Sequence, residues 1–327
     1  MKYLARRFAH AALLMLAISV FSFALLQCTP GNYFQTMRLD PRVSAQTVAA
    51  LQSQFGMHQS FLMRYIRWML SMTHGNMGYS FSYDVPVAVL LQTRARNTLL
   101  LTVSATLLAW ALAIPLGIWS AASKGRWNDR LCGFGISTVL AIPDLVLFLI
   151  LLVFAVRTGL FPAGGMLSPG FGSLDFWGRT KDIAFHLTLP AAGLALTMLP
   201  VLVRHIRSAM LDALQSPFIR AARAHGIPRT RLLLRYAFPA ASNPLISLFG
   251  FSIATMLSGS AILEVIMSWP GLGPLMVQAI LSRDVYVVAG IVMLGSCFLV
   301  VGNLIADILL LVSDPRIRVD ENNEAAL

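Results

Sequence analysis

RAARAHGIPRTRLLLRYAFPAA, residues 220–241, is the most arginine-rich stretch of an otherwise apolar chain. It sets Arg220, Arg223, Arg229, Arg231 and Arg235 beside the small residues Ala221, Ala222 and Gly226. MLDALQSPFIRAARAH reads as one continuous helix leading out of the membrane. Gly226 can adopt the left-handed conformation that ends a helix, and Pro228 prevents continuation. RTRLLLRYAF then starts a second helix, so the stretch is a helix–turn–helix. Ala221 and Ala222 leave a shallow surface that a partner can approach closely, with arginines flanking it. Three readings compete: a positively charged loop on anionic lipid, a DNA-binding helix–turn–helix, and a docking knob for a cytoplasmic partner. Tethers at both ends disfavour DNA, and small residues beside a defined break favour docking.

The surrounding composition places this loop at a membrane. Of 327 residues, 57% are hydrophobic and 12% charged. A soluble domain carries about 25% charged residues. The net charge of +11 fits cytoplasmic loops facing anionic lipid better than it fits nucleic-acid binding. Cys28, Cys132 and Cys297 are far apart and form no CxxC pair, which indicates neither a metal site nor a disulfide framework.

A membrane-spanning helix needs about 20 apolar residues. Six candidates satisfy this, roughly at 8–28, 98–121, 131–156, 185–206, 243–267 and 288–312. Pro115, Pro143, Pro190 and Pro200 lie within or near them; neighbouring helices can satisfy the freed carbonyls. MKYLARR resembles the start of a signal peptide, but the apolar run after it is too long for one. It reads as an uncleaved anchor. Lys2, Arg6, Arg7, Lys124, Arg126, Arg130, Arg204, Arg207, Arg316 and Arg318 fall on one side with the opening cluster if there are six spans. Both termini are then expected in the cytoplasm.

The parts are therefore 1–28 (N-terminus and first span), 29–97 (external), 98–312 (five-helix core) and 313–327 (cytoplasmic tail). The core includes a cytoplasmic loop at 207–242. Within 29–97, SAQTVAALQSQFG reads as an amphipathic helix between Ser44 and Gly56. FLMRYIRWMLSM suits the membrane surface through Tyr65, Trp68 and nearby arginines. The loop at 157–184 is rich in Gly and Pro, and SWPGLGPLMVQAILSRD is turn-rich and then weakly helical.

No G-x-x-x-x-G-K-[ST], GxSxG or HExxH occurs, so the chain is not expected to hydrolyse ATP itself. Ser258 and Ser260 in the fifth span would need a histidine at their depth to act as nucleophiles. His186 and His205 lie near opposite ends of the fourth span, so helix packing is the plainer role for these serines. His58, His74, Met57, Met63, Met69, Met72 and Met77 crowd the external segment. Soft ligands of this kind can hold copper or nickel, but their irregular spacing favours packing. Asp144, Glu264 and Asp307 lie within or near spans, where ionisable groups are functional hypotheses by default. A proton-coupled secondary transporter using Glu264 and Asp307 is the alternative to the reading below, although no internal repeat is evident.

The opening stretch resembles the loop signature of ABC-importer permeases, E-A-A-x-x-x-G-x9-I-x-L-P. Arg220 stands at the Glu position, while Ala221, Ala222 and Gly226 match. Tyr236 stands at the Ile position, Phe238 at the Leu position, and Pro239 matches. Arginine in place of Glu resembles the dipeptide/oligopeptide/nickel permease subfamily. LARR, TPGN, HGNMGYSFS, AIPLGIWSA, GLFPAGGM, ILEVIMSWPGLGPLMVQAILSRDVYVV and NLIADILLLVSDPRIR are similar to its pattern as well. The resemblance implies an all-α polytopic membrane protein with six transmembrane helices and the type I ABC importer permease (MetI-like) fold. It implies a bacterial or archaeal cytoplasmic membrane and pairing with a homologous second permease. Two cytoplasmic ATP-binding cassette subunits would use ATP and magnesium, and an external solute-binding protein would deliver the solute. No cofactor, metal or catalytic residue is expected on this chain. The loop would couple to the ATPase, with Ala221 and Ala222 entering a groove and Gly226 setting the helix angle. Thr255, Ser258, Ser260 and Glu264 are candidates for the translocation path. The solute class, from dipeptides to nickel chelates, glutathione or antimicrobial peptides, is not readable from the chain.

Overall fold

The computed structural model describes residues 2–28, 44, 46 and 60–313. The amphipathic helix expected at 44–56, Met57, His58 and the tail beyond 313 fall outside the described residues or nearly so. The chain folds as two compact units, 1–98 with 270–298, and 99–269 with 299–327.

The first unit contains α1 (Lys2–Cys28), α2 (Phe61–Thr73) and a two-residue antiparallel ladder of β1 (Tyr79–Ser80) and β2 (Val85–Pro86). It also takes in the start of α3 (Val87–Ala122). Trp68 is buried and stacks on Phe23 with centroids 5.5 Å apart, and the Tyr65 hydroxyl lies 2.8 Å from Ser19 Oγ. Met69 and Met72 pack against this cluster and Met77 against a neighbouring one, so these methionines serve packing. Asp284 is fully buried and ties the hairpin down. It accepts hydrogen bonds from Ser80 Oγ (2.7 Å) and the Ser82 amide (3.3 Å).

The second unit is built around α6 (Phe176–Gln215), a 40-residue helix. Leu194, Met198, Leu202, Ile206 and Met210 recur every four residues and are all buried. That spacing forms one face of a helix. On α3, Leu101, Ala105, Ala109 and Ala113 repeat the spacing, three of them with small side chains, and all are fully buried. Small residues let helix backbones approach closely where lipid supplies no hydrophobic drive. Gly117 shows how closely: a Cβ there would lie 2.6 Å from Ile206 Cγ2. α8 (Ser242–Ile266) completes this core, with Leu263 against Gly193. α9 (Leu272–Leu281) belongs to the first unit, and α10 (Val285–Ser313) contributes to both.

The expectation of six uninterrupted spans needs correction. Among the described residues, four helices, α3, α6, α8 and α10, are long and apolar enough to cross a membrane. The expected third span is a bent pair, α4 (Trp127–Ala141) and α5 (Asp144–Thr158), which meet at 97°. Ile142 is extended at ψ 122 and Pro143 opens α5. A proline excludes its predecessor from the helical region and cannot continue the ladder from the preceding turn. α1, at 27 residues, is long enough for the expected first span, and its described apolar part is Ala9–Ala24. α3 begins eleven residues before the expected boundary at 98, and α6 overruns the expected 185–206 at both ends.

Candidate functional site

The arginine-rich loop does not continue the preceding helix. α6 stops at Gln215, Ser216 is extended at ψ 149, and a separate helix α7 (Pro217–Ala224) begins with Pro217. Proline is suited to the first turn of a helix, whose amides lack partners anyway, and it forces the residue before it out of the helix. The single helix expected from MLDALQSPFIRAARAH is therefore two, with the break at Ser216–Pro217.

The far end of α7 matches the sequence expectation. Gly226 has φ +75, left-handed. Its amide donates to the Arg223 carbonyl (3.0 Å), and the Ile227 amide reaches back to that of Ala222 (3.4 Å). This reciprocal pair closes a Schellman motif. A Cβ on Gly226 would meet nothing within 4 Å, so its role is backbone conformation alone. Pro228 then caps a short helical turn, Arg229–Arg231, followed by a π-helical segment, Leu232–Ala237, and a last turn, Phe238–Ala240. Inserted π turns re-aim the residues that follow them.

The two matching alanines face different ways. Ile219 is fully buried, and Ala222 packs with it against the core. Arg220, Ala221 and Ala224 are exposed on the opposite side of α7, and Arg223, four residues after Ile219, is exposed at the edge of the core-facing side. Tyr236 and Pro239 are exposed, whereas Phe238 is half-buried against the core. Five arginines and no carboxylate occur in 216–241. Arg229 is the one that folds back, donating through Nη2 to the Ala122 carbonyl at the end of α3. Next to it, a cleft of about 340 Å³ opens among Lys124, Leu211, Arg223 and Leu233.

A polar brace that sequence reasoning missed lies in the same unit. Arg207 grips Asp129 through Nε (2.8 Å) and Nη2 (2.9 Å). Asp129 also accepts from Ser120 Oγ (2.6 Å) and the Gly125 amide (3.0 Å). One carboxylate thereby joins α3, the turn after it, α4 and α6. A two-pronged arginine–carboxylate pair fixes orientation as well as distance. Arg207 had signalled only orientation in the sequence, because its partner is 78 residues away.

The four path candidates on α8 separate into two faces. Thr255 and Ser258 are exposed, with their hydroxyls donating to the Phe251 (3.0 Å) and Ala254 (3.2 Å) carbonyls. Ser260 and Glu264 are buried one turn apart on the other side, and Ser260 Oγ donates to Leu257 O at 2.9 Å. These hydroxyls engage their own helix, as packing serines do. His186 Nδ1 sits 2.9 Å from the Asp182 carbonyl, which leaves the serine–histidine reading without support. Asp144 is exposed at the start of α5, and Asp307 is buried on α10.

Comparison with known proteins agrees with this architecture. Residues 113–319 match the family described as binding-protein-dependent transport system inner membrane component. Residues 1–102 match its N-terminal companion. The chain is 35% identical over 317 residues to the oligopeptide transport system permease protein AppB of Bacillus subtilis, covering 96% of this chain and 98% of that one. It is 31% identical over 336 residues to the dipeptide transport system permease protein DppB of Escherichia coli K12, covering 97% and 99%. Among solved structures, a chain of the inward-facing MetNI methionine ABC transporter aligns with TM-score 0.57 at 17% identity. That alignment covers 69% of this chain and 96% of the other, and it supports the type I importer permease fold. The chain belongs to the family of inner-membrane components of binding-protein-dependent transport systems.

Proposed function

We propose that this protein is the permease subunit of an ATP-driven ABC importer for peptides, forming half of the pore with a homologous second permease. The observation that carries the coupling role is the exposed face of α7. There Arg220, Ala221 and Ala224 stand out from a helix fixed by Pro217 at one end and left-handed Gly226 at the other. Small residues let a groove close onto the helix, and flanking arginines suit an acidic rim. Two ATP-binding cassette subunits dock on such loops, use ATP and magnesium, and drive the pore between its two openings. The chain itself supplies no catalytic residue to that chemistry.

Both termini and the 216–241 loop lie in the cytoplasm on this reading, by the positive-inside rule. An extracytoplasmic solute-binding protein delivers the solute. The peptide class is supported by relatives named for oligopeptide and dipeptide transport. Of the path candidates, Thr255 and Ser258 remain on a face open to a pore or partner, while Ser260 and Glu264 serve the interior of the chain. No observation favours the proton-coupled alternative using Glu264 and Asp307.

The test is peptide uptake in cells deleted for the native gene and carrying Ala221→Trp. Uptake should be lost while the protein still reaches the membrane and supports the same complex of permeases. Normal uptake by a well-expressed Ala221→Trp protein would refute docking through this face.

A further inference from the structure

α2 has three sides. Tyr65, Trp68, Met69 and Met72 pack inward in the first unit. Leu62 (62% exposed), Met63, Ile66 and Leu70 (59% exposed) recur at helical spacing on a second, open side. Arg67, with Arg64 next to it, lies beyond that stripe on the third. Two adjoining hollows follow these sides. One is a groove along Met63, Ile66 and Leu70. The other is a cleft of about 520 Å³ between α2 and the hairpin, lined by Arg64, Trp68, Asn76 and Tyr79. Arg67, Ser71 and His74 line both.

The depth of α2 follows from its contacts with α1. Phe23 and Ser19, which hold Trp68 and Tyr65, lie in the second half of α1, whose apolar sequence runs on through Leu26. α2 therefore meets the half of α1 that leads out of its apolar run, and its own amphipathic pattern suits a membrane surface. An apolar groove joined to a basic cleft at that depth has the shape and charge pattern of one amphiphile. Chains lie against aliphatic side chains there, and a phosphate meets the guanidinium. Nearby carboxylates are already engaged: Asp84 accepts from Tyr79 (2.6 Å), and Asp284 accepts from Ser80 and Ser82.

We infer that α2 and the hairpin form a binding site for an anionic phospholipid, with an acyl chain along Met63, Ile66 and Leu70 and the headgroup phosphate at Arg67. The site is separate from the transport reading and requires only that the chain sits in a bilayer.

Native mass spectrometry of the full-length protein, extracted in detergent with its co-purifying subunits, tests it with phosphatidylglycerol and phosphatidylcholine as probes. Phosphatidylglycerol should be retained about fivefold more than phosphatidylcholine, and Arg67→Gln should remove that preference, as expected for one cation near anionic lipid. Leu70→Asn should weaken both lipids, since it opens the groove rather than changing charge. Both positions are exposed, so neither variant disturbs the core. Equal retention of the two lipids, or an unchanged preference in Arg67→Gln, would overturn the inference. So would displacement of the lipid by millimolar inorganic phosphate, which would mark a site for free anions. Loss of a protein subunit rather than lipid from Arg67→Gln would reassign the cleft to a protein partner.

Discussion

The loop at 216–241 and the hairpin at 79–86 are both short, irregular segments, and they are held in opposite ways. The hairpin hangs on a buried side chain: Asp284 receives Ser80 Oγ and the Ser82 amide from a position about 200 residues along the chain. The loop is shaped mainly by its own backbone. Pro217 starts α7, Gly226 ends it, and Ile219 and Leu232 seat it, while its arginines and Ala221 stay exposed. A segment closed by interior hydrogen bonds keeps its form only while the buried acceptor stays in place. One shaped locally can present a whole face to a partner and keep its form when that partner leaves.

The contrast breaks most sharply at Asp284. Asp284→Ala leaves the buried Ser80 hydroxyl without its acceptor and frees the Ser82 amide, which costs about 3 kcal/mol. Thermal unfolding of the first unit, followed in detergent, should shift well below wild type, and Asp284→Asn should recover part of the loss. An unaltered transition in Asp284→Ala would show that the hairpin does not depend on this carboxylate.

A smaller effect is expected at Gly226, where only backbone conformation is at stake. A β-branched residue held left-handed costs about 1–2 kcal/mol. Gly226→Val should therefore impair peptide uptake, whereas Gly226→Asn should stay close to wild type, because Asn visits that region readily. Since a Cβ meets nothing there, equal defects in both variants would point to crowding by a partner instead of strain.

The brace is smaller again. Asp129 and Arg207 are partly exposed, at 10% and 34% of their side chains, so solvent moderates their attraction. A double-mutant cycle of Asp129→Ala and Arg207→Ala should return a coupling of about 1 kcal/mol in unfolding experiments. A coupling near zero would reduce the pair to a positive-inside signal with an incidental neighbour.

The loop was largely legible in the sequence because its determinants are local. Gly226 and Pro228 announce a break by residue type alone, and Arg220, Ala221 and Ala222 carry a recognisable pattern. Pro217 carries the same kind of signal, and it divides the single expected helix into two. Pro143, in a span where a proline can be tolerated, instead turns α5 sharply from α4. The division of Ala221 from Ala222 depends on which side of α7 meets the core, and adjacent identical residues hide that. Asp284 with Ser80 and Asp129 with Arg207 were out of reach for a different reason. Each pair joins positions 204 or 78 residues apart, and no periodicity links them.

The account rests most directly on the exposed face of α7, and co-purification of the ATPase with the permease measures it. Full-length protein bearing Ala221→Trp should reach the membrane in normal amount, unfold at the wild-type temperature and lose the ATP-binding subunits on affinity purification. Arg220→Glu should weaken the same association if the groove is acidic. ATP-binding subunits retained by Ala221→Trp at wild-type stoichiometry would contradict docking through this helix.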